Sequence, residues 1–299
     1  MRAHCEQSGR LRQPSWHDGR ASIFFDVVGC RRENMNGPTK DVSIPATSPA
    51  ILRRLSGTGG EELSLVCFPH AGGGSSRFRE WPRAFGEHTE VQVAIFPGRE
   101  GRLLETPMVD LHAMAAAAAT ELRSATNRRV ALAGISFGAL VAFEVACLLA
   151  DGGAPPAALF VASQRAPRCP RELHGWHELD SQELVAKLVQ IGGLDTRDAC
   201  DLEFQELFLG AIRADLRASE TYSAPARAPL NCPIFVYRGQ LDPVVSEEDC
   251  RSWQAETSST AVIHTLGSGH FLLNEAEDQW LAALRADLLR VCASNRSLA

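Results

Sequence analysis

The apolar positions of this chain fall into two alternating patterns. Short unbroken apolar runs, bounded by Gly and Pro, recur between residues 63 and 266, and stretches of helical periodicity lie between them. Unbroken runs mark parallel strands buried on both faces, where neither face has room for polar side chains. The pattern predicts strands at 63–69, 91–97, 130–134, 157–163, 233–239 and 261–266. Helices are predicted at the Ala-rich stretch 111–122, at 139–150 running out into Gly152-Gly153, at 181–188, at 203–217 and at 278–291. Strands alternating with helices imply an α/β fold, a mostly parallel sheet with helices on both faces.

Two stretches depart from this alternation. Residues 174–222 are helical in pattern without a strand, longer than one crossover needs, and are read as a lid insertion at about 170–225. Asp180 or Ser181 is placed to cap its first helix. Residues 1–50 are rich in Arg, Ser, Pro and Gly, with a single short apolar run at 23–28. They are read as an N-terminal extension, disordered or loosely attached, with Met35 as an alternative start and the folded domain at 51–299.

Composition narrows the class of protein. A chain of 299 residues with 45% hydrophobic and 22% charged residues can bury a sizeable core. A net charge of -6 argues against a general nucleic-acid binder. The nine cysteines contain no C-x-x-C pair, so neither a disulfide framework nor a metal site is signalled, and free thiols in a reducing cytoplasm are expected. No apolar run approaches the roughly 20 residues that span a bilayer, and the first residues lack a secretory h-region.

The chemistry centres on Gly134-Ile135-Ser136-Phe137-Gly138, set between a buried strand and a helix. Ser136 could merely cap that helix. The strand–turn–helix context is also what a nucleophile elbow requires, with glycines where a Cβ would strike the crossing strand or helix. The glycine-rich turn after the first strand, His70-Ala71-Gly72-Gly73-Gly74, lacks both phosphate-loop patterns and fits an oxyanion loop, the second donor being the Phe137 N–H. Nothing positions His70 as a base. Asp242 and His270 each follow a predicted strand, where α/β proteins place functional groups. Ser136, Asp242 and His270 then stand in the order nucleophile, acid, base. Asp110, Asp151, Asp201 and Asp215 fit that context less well, as do His112, His174 and His264.

Several segments together resemble the type II thioesterases, stand-alone editing hydrolases of polyketide synthases and nonribosomal peptide synthetases. They are Phe68-Pro69-His70-Ala71-Gly72-Gly73, Phe96-Pro97-Gly98-Arg99-Glu100 with Arg102, the Ser136 elbow, Ser163-Gln164-Arg165-Ala166-Pro167, Arg213-Ala214-Asp215-Leu216 with Tyr222, Gly239-Gln240-Leu241-Asp242-Pro243 and Gly269-His270-Phe271. The resemblance runs over roughly 63–290, and the Pro-Gly-Arg-Glu run is its most specific part. It implies an α/β-hydrolase fold and a cytoplasmic serine thioesterase with catalytic Ser136, Asp242 and His270. The Ala71 and Phe137 N–H groups would form the oxyanion hole. The expected partner is an acyl or peptidyl carrier protein that brings its own phosphopantetheine arm. No cofactor, metal, nucleic acid or membrane is called for, and a monomer is favoured. The rival functions are a small-molecule esterase or lipase and a non-catalytic carrier-binding module. Ile135 and Phe137 stand where the family usually has His and Met, and Gln164 where it commonly has Gly. From its place beside Ser136, Phe137 is expected to narrow the acyl pocket.

Overall fold

The computed structural model describes residues 50–56, 62–125, 128–169 and 175–296. The N-terminal extension expected at 1–50 lies, apart from Ala50, outside these residues.

Seven strands form one sheet: β1 Leu52–Arg54, β2 Leu63–Phe68, β3 Thr89–Ala94, β4 Arg129–Ile135, β5 Ala158–Ala162, β6 Ile234–Gly239 and β7 Ala261–Leu266. Their spatial order is β1-β3-β2-β4-β5-β6-β7. All neighbours pair in parallel except β1, which runs antiparallel to β3 with Leu52 opposite Ala94. β1 escaped the reading of the sequence because it is three residues long and only Leu52 points inward. The helices are α1 Trp81–Phe85, α2 Leu111–Ala125, α3 Phe137–Asp151, α4 Ser181–Gln190, α5 Thr196–Cys200, α6 Leu202–Glu220, α7 Glu247–Arg251, α8 Leu272–Glu275 and α9 Glu277–Arg296.

Alternate residues of the central strands feed two cores. Val66, Phe68, Leu132, Leu159, Val161 and Val236 pack with α2 and α3 on one face of the sheet. Leu65, Cys67, Ala131, Ala133, Phe160 and Tyr237 pack with Trp81 of α1 and Trp280 and Leu284 of α9 on the other. Helix α3 has twelve buried residues out of fifteen, which is why it shows no amphipathic stripe. Truncating one of its fully buried side chains, as in Leu140→Ala, costs about 2–5 kcal/mol.

The expected helical insertion is present between β5 and β6, as α4, α5 and α6. Each begins at an aspartate, Asp180, Asp195 and Asp201, whose carboxylate accepts backbone N–H groups of the first turn. Such caps are worth about 1 kcal/mol apiece. α5 is a single short turn and went unread in the sequence. No helix among the described residues is long and apolar enough to cross a membrane.

Candidate active site

Ser136 lies between β4 and α3 at φ 50°, ψ −121°. For a non-glycine residue such a conformation costs on the order of 1–3 kcal/mol, so its surroundings must hold it. The Ser136 N–H donates to the Ala162 carbonyl at 2.8 Å, and the Ser136 carbonyl accepts from Ala139 N–H at 2.9 Å. The flanking glycines are needed because the crossing chains are close. A Cβ on Gly134 would lie 2.3 Å from the Gly138 carbonyl oxygen, and one on Gly138 would lie 2.2 Å from that of Phe68. The Ser136 hydroxyl makes no capping bond to α3. Its partner is His270, whose Nε2 is 3.3 Å from Oγ.

His270 follows β7 and is 6% exposed. Its backbone carbonyl accepts a 2.6 Å hydrogen bond from the buried Ser163 hydroxyl, and its Nδ1 stands 2.9 Å from Asp242 Oδ2. An Nδ1–H donated to that carboxylate leaves Nε2 as the acceptor facing Ser136. Asp242 lies just past β6, where its other oxygen accepts from the N–H groups of Val244 at 2.7 Å and Val245 at 3.0 Å. Burial raises the Asp242 carboxyl. The hydrogen bond and charge of His270 and the two backbone donors together outweigh burial and hold it below its ordinary 3.8. The acid and base loops meet at Gly239, where a Cβ would lie 2.0 Å from the Gly269 carbonyl oxygen.

The turn after β2 closes with Gly73 N–H donating to the His70 carbonyl at 2.8 Å. Gly72, at φ 73°, supplies the positive φ that a type II turn requires at its third position. The Ala71 N–H is not used by the turn bond. Ala71, Ser136 and His270 line one cleft, together with Leu188, Ile191, Ile212, Leu216, Val244, Val245 and Phe271. α4, α6 and the segment between α4 and α5 therefore supply much of its apolar wall.

Phe137 corrects an expectation. Its side chain is 3% exposed, belongs to the core that contains Phe68, Phe96 and Leu140, and does not line the cleft. At the first position of α3 the ring turns inward to the core. His70 lines the cleft but lies against Phe271, ring centroids 5.7 Å apart. Burial, then the charges of Arg77, His270 and Arg99, lower its imidazole to about 4. His112 bonds the Ser223 carbonyl, His264 lies against Asp287, and His174 is outside the described residues. Asp110 and Asp201 bond the first turns of α2 and α6, and Asp151 ends α3.

Two residues of the resembling segments have supporting roles that were not read from the sequence. Ser163, at φ 51°, holds the His270 carbonyl. Glu100, at φ 48°, accepts from the Ser75 hydroxyl at 3.0 Å and 2.9 Å and from its backbone N–H, and pairs with Arg53. The Pro-Gly-Arg-Glu run thus braces the loop after β2. Glu100 and Ser163 stood in segments that carry the family resemblance, but non-glycine residues of a sequence give no sign of positive φ, so their bracing roles could not be read.

A mostly parallel sheet with a strained serine elbow, and an acid and a histidine on later loops at the strand carboxyl ends, is the α/β-hydrolase fold. The chain belongs to the thioesterase domain family, whose model matches residues 64–288. Among solved structures it is similar to BorB, the type II thioesterase of the borrelidin biosynthetic cluster, at 33% identity and TM-score 0.74 over 80% of this chain and 97% of that one. It is also similar to RedJ, the thioesterase of the prodiginine pathway in Streptomyces coelicolor, at 36% identity and TM-score 0.72 over 83% and 96%. The gramicidin S biosynthesis protein GrsT of Aneurinibacillus migulanus is 30% identical over 233 residues, 78% of this chain and 91% of GrsT.

Proposed function

We propose that the chain is a serine thioester hydrolase that removes acyl or aminoacyl groups from the phosphopantetheine arm of a carrier protein, in the editing of polyketide or nonribosomal peptide synthesis. The observation that carries this reading is His270, bridging Asp242 at 2.9 Å and Ser136 Oγ at 3.3 Å at the head of an apolar cleft. Ser136 Oγ attacks the thioester carbonyl while His270 Nε2 takes its proton, and Asp242 holds the tautomer and stabilises the imidazolium. The oxyanion is received by the N–H groups of Ala71 and Phe137, two donors whose backbones are held before substrate arrives. The C–S bond breaks and the thiol leaves with the proton from His270. Water, deprotonated by the same nitrogen, then attacks the Ser136 ester; the ester C–O bond breaks, His270 returns that proton to Ser136 Oγ, and the acid departs. These steps use no cofactor of the chain's own, since the arm belongs to the partner.

The pathways of BorB, RedJ and GrsT support the choice of substrate. The test is release of acid from a panel of acylated carrier proteins, beside acyl coenzyme A and simple esters. Faster turnover on carrier-bound acyl groups is expected. Turnover confined to simple esters would replace this reading with a small-molecule esterase, and no turnover on any would leave a binding module.

A further inference from the structure

A buried ion pair that the chemistry above does not use joins Arg99 and Asp215. Asp215, on α6, is 0% exposed and Arg99, on the loop after β3, is 3% exposed. The pairing is bidentate, with Arg99 Nη1 and Nη2 each 2.8 Å from one carboxylate oxygen. The carboxylate has a third partner, the Gly72 N–H of the oxyanion turn, at 2.8 Å. Arg99 Nη1 also reaches the Gly73 carbonyl at 3.3 Å. One helical turn before Asp215, Ile212 presses on the same peptide, so closely that a Cβ on Gly72 would lie 2.3 Å from Ile212 Cγ1. α6 therefore touches the turn twice, through a charge and through an apolar side chain. Ile212 and Leu216 of that helix also line the acyl cleft.

We infer that Asp215, held by Arg99, is a positioning residue that fixes the oxyanion turn to the lid helix, so that the Ala71 N–H is aimed only while α6 is seated. The inference rests on the reading of Ser136 and Ala71 given above. Gly72 is the residue next to the donor; the peptides on either side of it are tied by Asp215 and by the His70 carbonyl, and Arg99 holds the peptide after those. If α6 lifts, Gly72 loses its acceptor and its apolar stop together. A structural role alone predicts something different: a buried ion pair can be replaced by apolar residues at little cost, whereas losing one partner is costly. Positioning requires an acceptor for Gly72, whatever its charge.

The test varies that acceptor in one background. With Arg99→Met, the variants Asp215→Asn and Asp215→Leu have side chains of similar size, and only Asn can accept from Gly72. Single-turnover hydrolysis of an acyl coenzyme A is measured below the melting temperature of each. Arg99→Met/Asp215→Leu should lose about 10²-fold in kcat, the loss expected when one oxyanion donor is misplaced. KM should stay within about twofold, because the oxyanion exists only beyond the ground state. The Asn variant should recover about a third to a tenth of the wild-type rate even where it is the less stable of the two. Equal kcat for Asn and Leu, or rates that follow stability, would overturn the inference. Amide exchange on the wild-type protein needs no variant to fold. Gly72 should exchange with protection within about tenfold of the α6 amides around Asp215. Protection of Gly72 far below theirs would show that turn and helix open separately, and the clamp would be lost as an idea. Failure of Ser136 to react with a fluorophosphonate would instead sink the reading of the site, leaving the exchange result to decide the clamp.

Discussion

Two histidine–aspartate pairs lie in and beside strands β6 and β7, and they differ in what stands at the far side of the histidine. In the first, His270 Nδ1 is hydrogen-bonded to Asp242 Oδ2 at 2.9 Å and its other nitrogen faces Ser136 in the cleft. In the second, His264 Nε2 lies 2.7 Å from Asp287 Oδ2 without hydrogen-bond alignment, and the ring stacks on Tyr237 at 5.0 Å. The Asp287 carboxylate is taken up by the Tyr237 hydroxyl at 2.8 Å and Arg290 at 3.0 Å. Burial, then the charge and hydrogen bond of Asp287, push the Tyr237 phenol well above its ordinary value, so that it stays a donor. The residue types match; the third partner and the place in the fold differ, loops past the strand ends in one case and strand against helix α9 in the other. A pair becomes a candidate base when it ends on a nucleophile in a cleft, and a structural strut when it ends in the core against α9.

The largest effect that separates the pairs concerns the third partner itself. Ser136→Ala should lower kcat by about 10⁶-fold, the scale reached when a nucleophile of such a triad is removed. The melting temperature should not fall, because the Ser136 hydroxyl makes no capping bond to α3. Hydrolysis of a carrier-bound acyl group by the folded variant at more than about a hundredth of the wild-type rate would remove Ser136 from the mechanism.

Next come the two aspartates. Asp242→Asn should lose about 10⁴-fold in kcat with substrate binding little changed, because His270 would be held in the wrong tautomer. Asp287→Asn should leave kcat within about twofold, since nothing it touches lines the cleft. Comparable losses in both would erase the distinction. The pH dependence follows with a definite sign. The Asp242 carboxyl is lowered in the folded protein, so its contribution to stability is complete above its ordinary 3.8 and is lost as pH falls through the lowered value. Urea midpoints of wild type and Asp242→Asn should therefore differ at pH 5 and draw together as pH falls below 3.8. Midpoints already equal at pH 5 would mean that Asp242 is not the ionised partner of His270.

Asp287→Ala turns the comparison toward stability. The Tyr237 hydroxyl, buried beneath α9, would be left without its acceptor, at a cost of about 1–3 kcal/mol. His264 and Arg290 add little, because their side chains are 26% and 70% exposed and solvent screens their attraction. Chemical denaturation should show the loss, while kcat at temperatures where the variant is folded should not. A fall in kcat of tenfold or more in the folded variant would show that the second pair reaches the cleft.

What could be read from the sequence divides along the same line. Six of the seven strands, the elbow and the order Ser136, Asp242, His270 are local signals, written in apolar runs, Gly spacing and position after a strand. The side of the sheet on which a residue ends is decided by packing across the chain. Asp215 counted among the less suitable aspartates because it sits inside a helical pattern; its partner Arg99 is 116 residues away, and only the fold brings them to 2.8 Å. The same gap explains Ser163, whose bond to the His270 carbonyl spans 107 residues. Phe137 shows the converse. Its position beside Ser136 was plain, and the face on which its ring lies was not.

The smallest effect is the one that neighbourhood in sequence would make large. Phe137 adjoins Ser136, and a ring there would govern acyl length if it faced the cleft. It faces the core of Phe68, Phe96 and Leu140. Phe137→Met is then a repacking of buried apolar atoms by a flexible side chain of similar reach, expected to cost less than about 1.5 kcal/mol in stability. The relative kcat/KM across acyl chain lengths should not change, because no atom that touches substrate has moved. Leu216, 79 residues beyond Phe137, lines the cleft from α6. Leu216→Ala should raise kcat/KM for longer acyl groups relative to short ones, by about 1–3 kcal/mol for each methylene newly admitted. The two variants measured on one acyl series make a single experiment with opposite expectations. A shifted length profile for Phe137→Met together with an unchanged one for Leu216→Ala would mean that the cleft is walled by the elbow rather than by α6. The clamp between Asp215 and Gly72 would then join the oxyanion turn to a helix with no part in holding the acyl group.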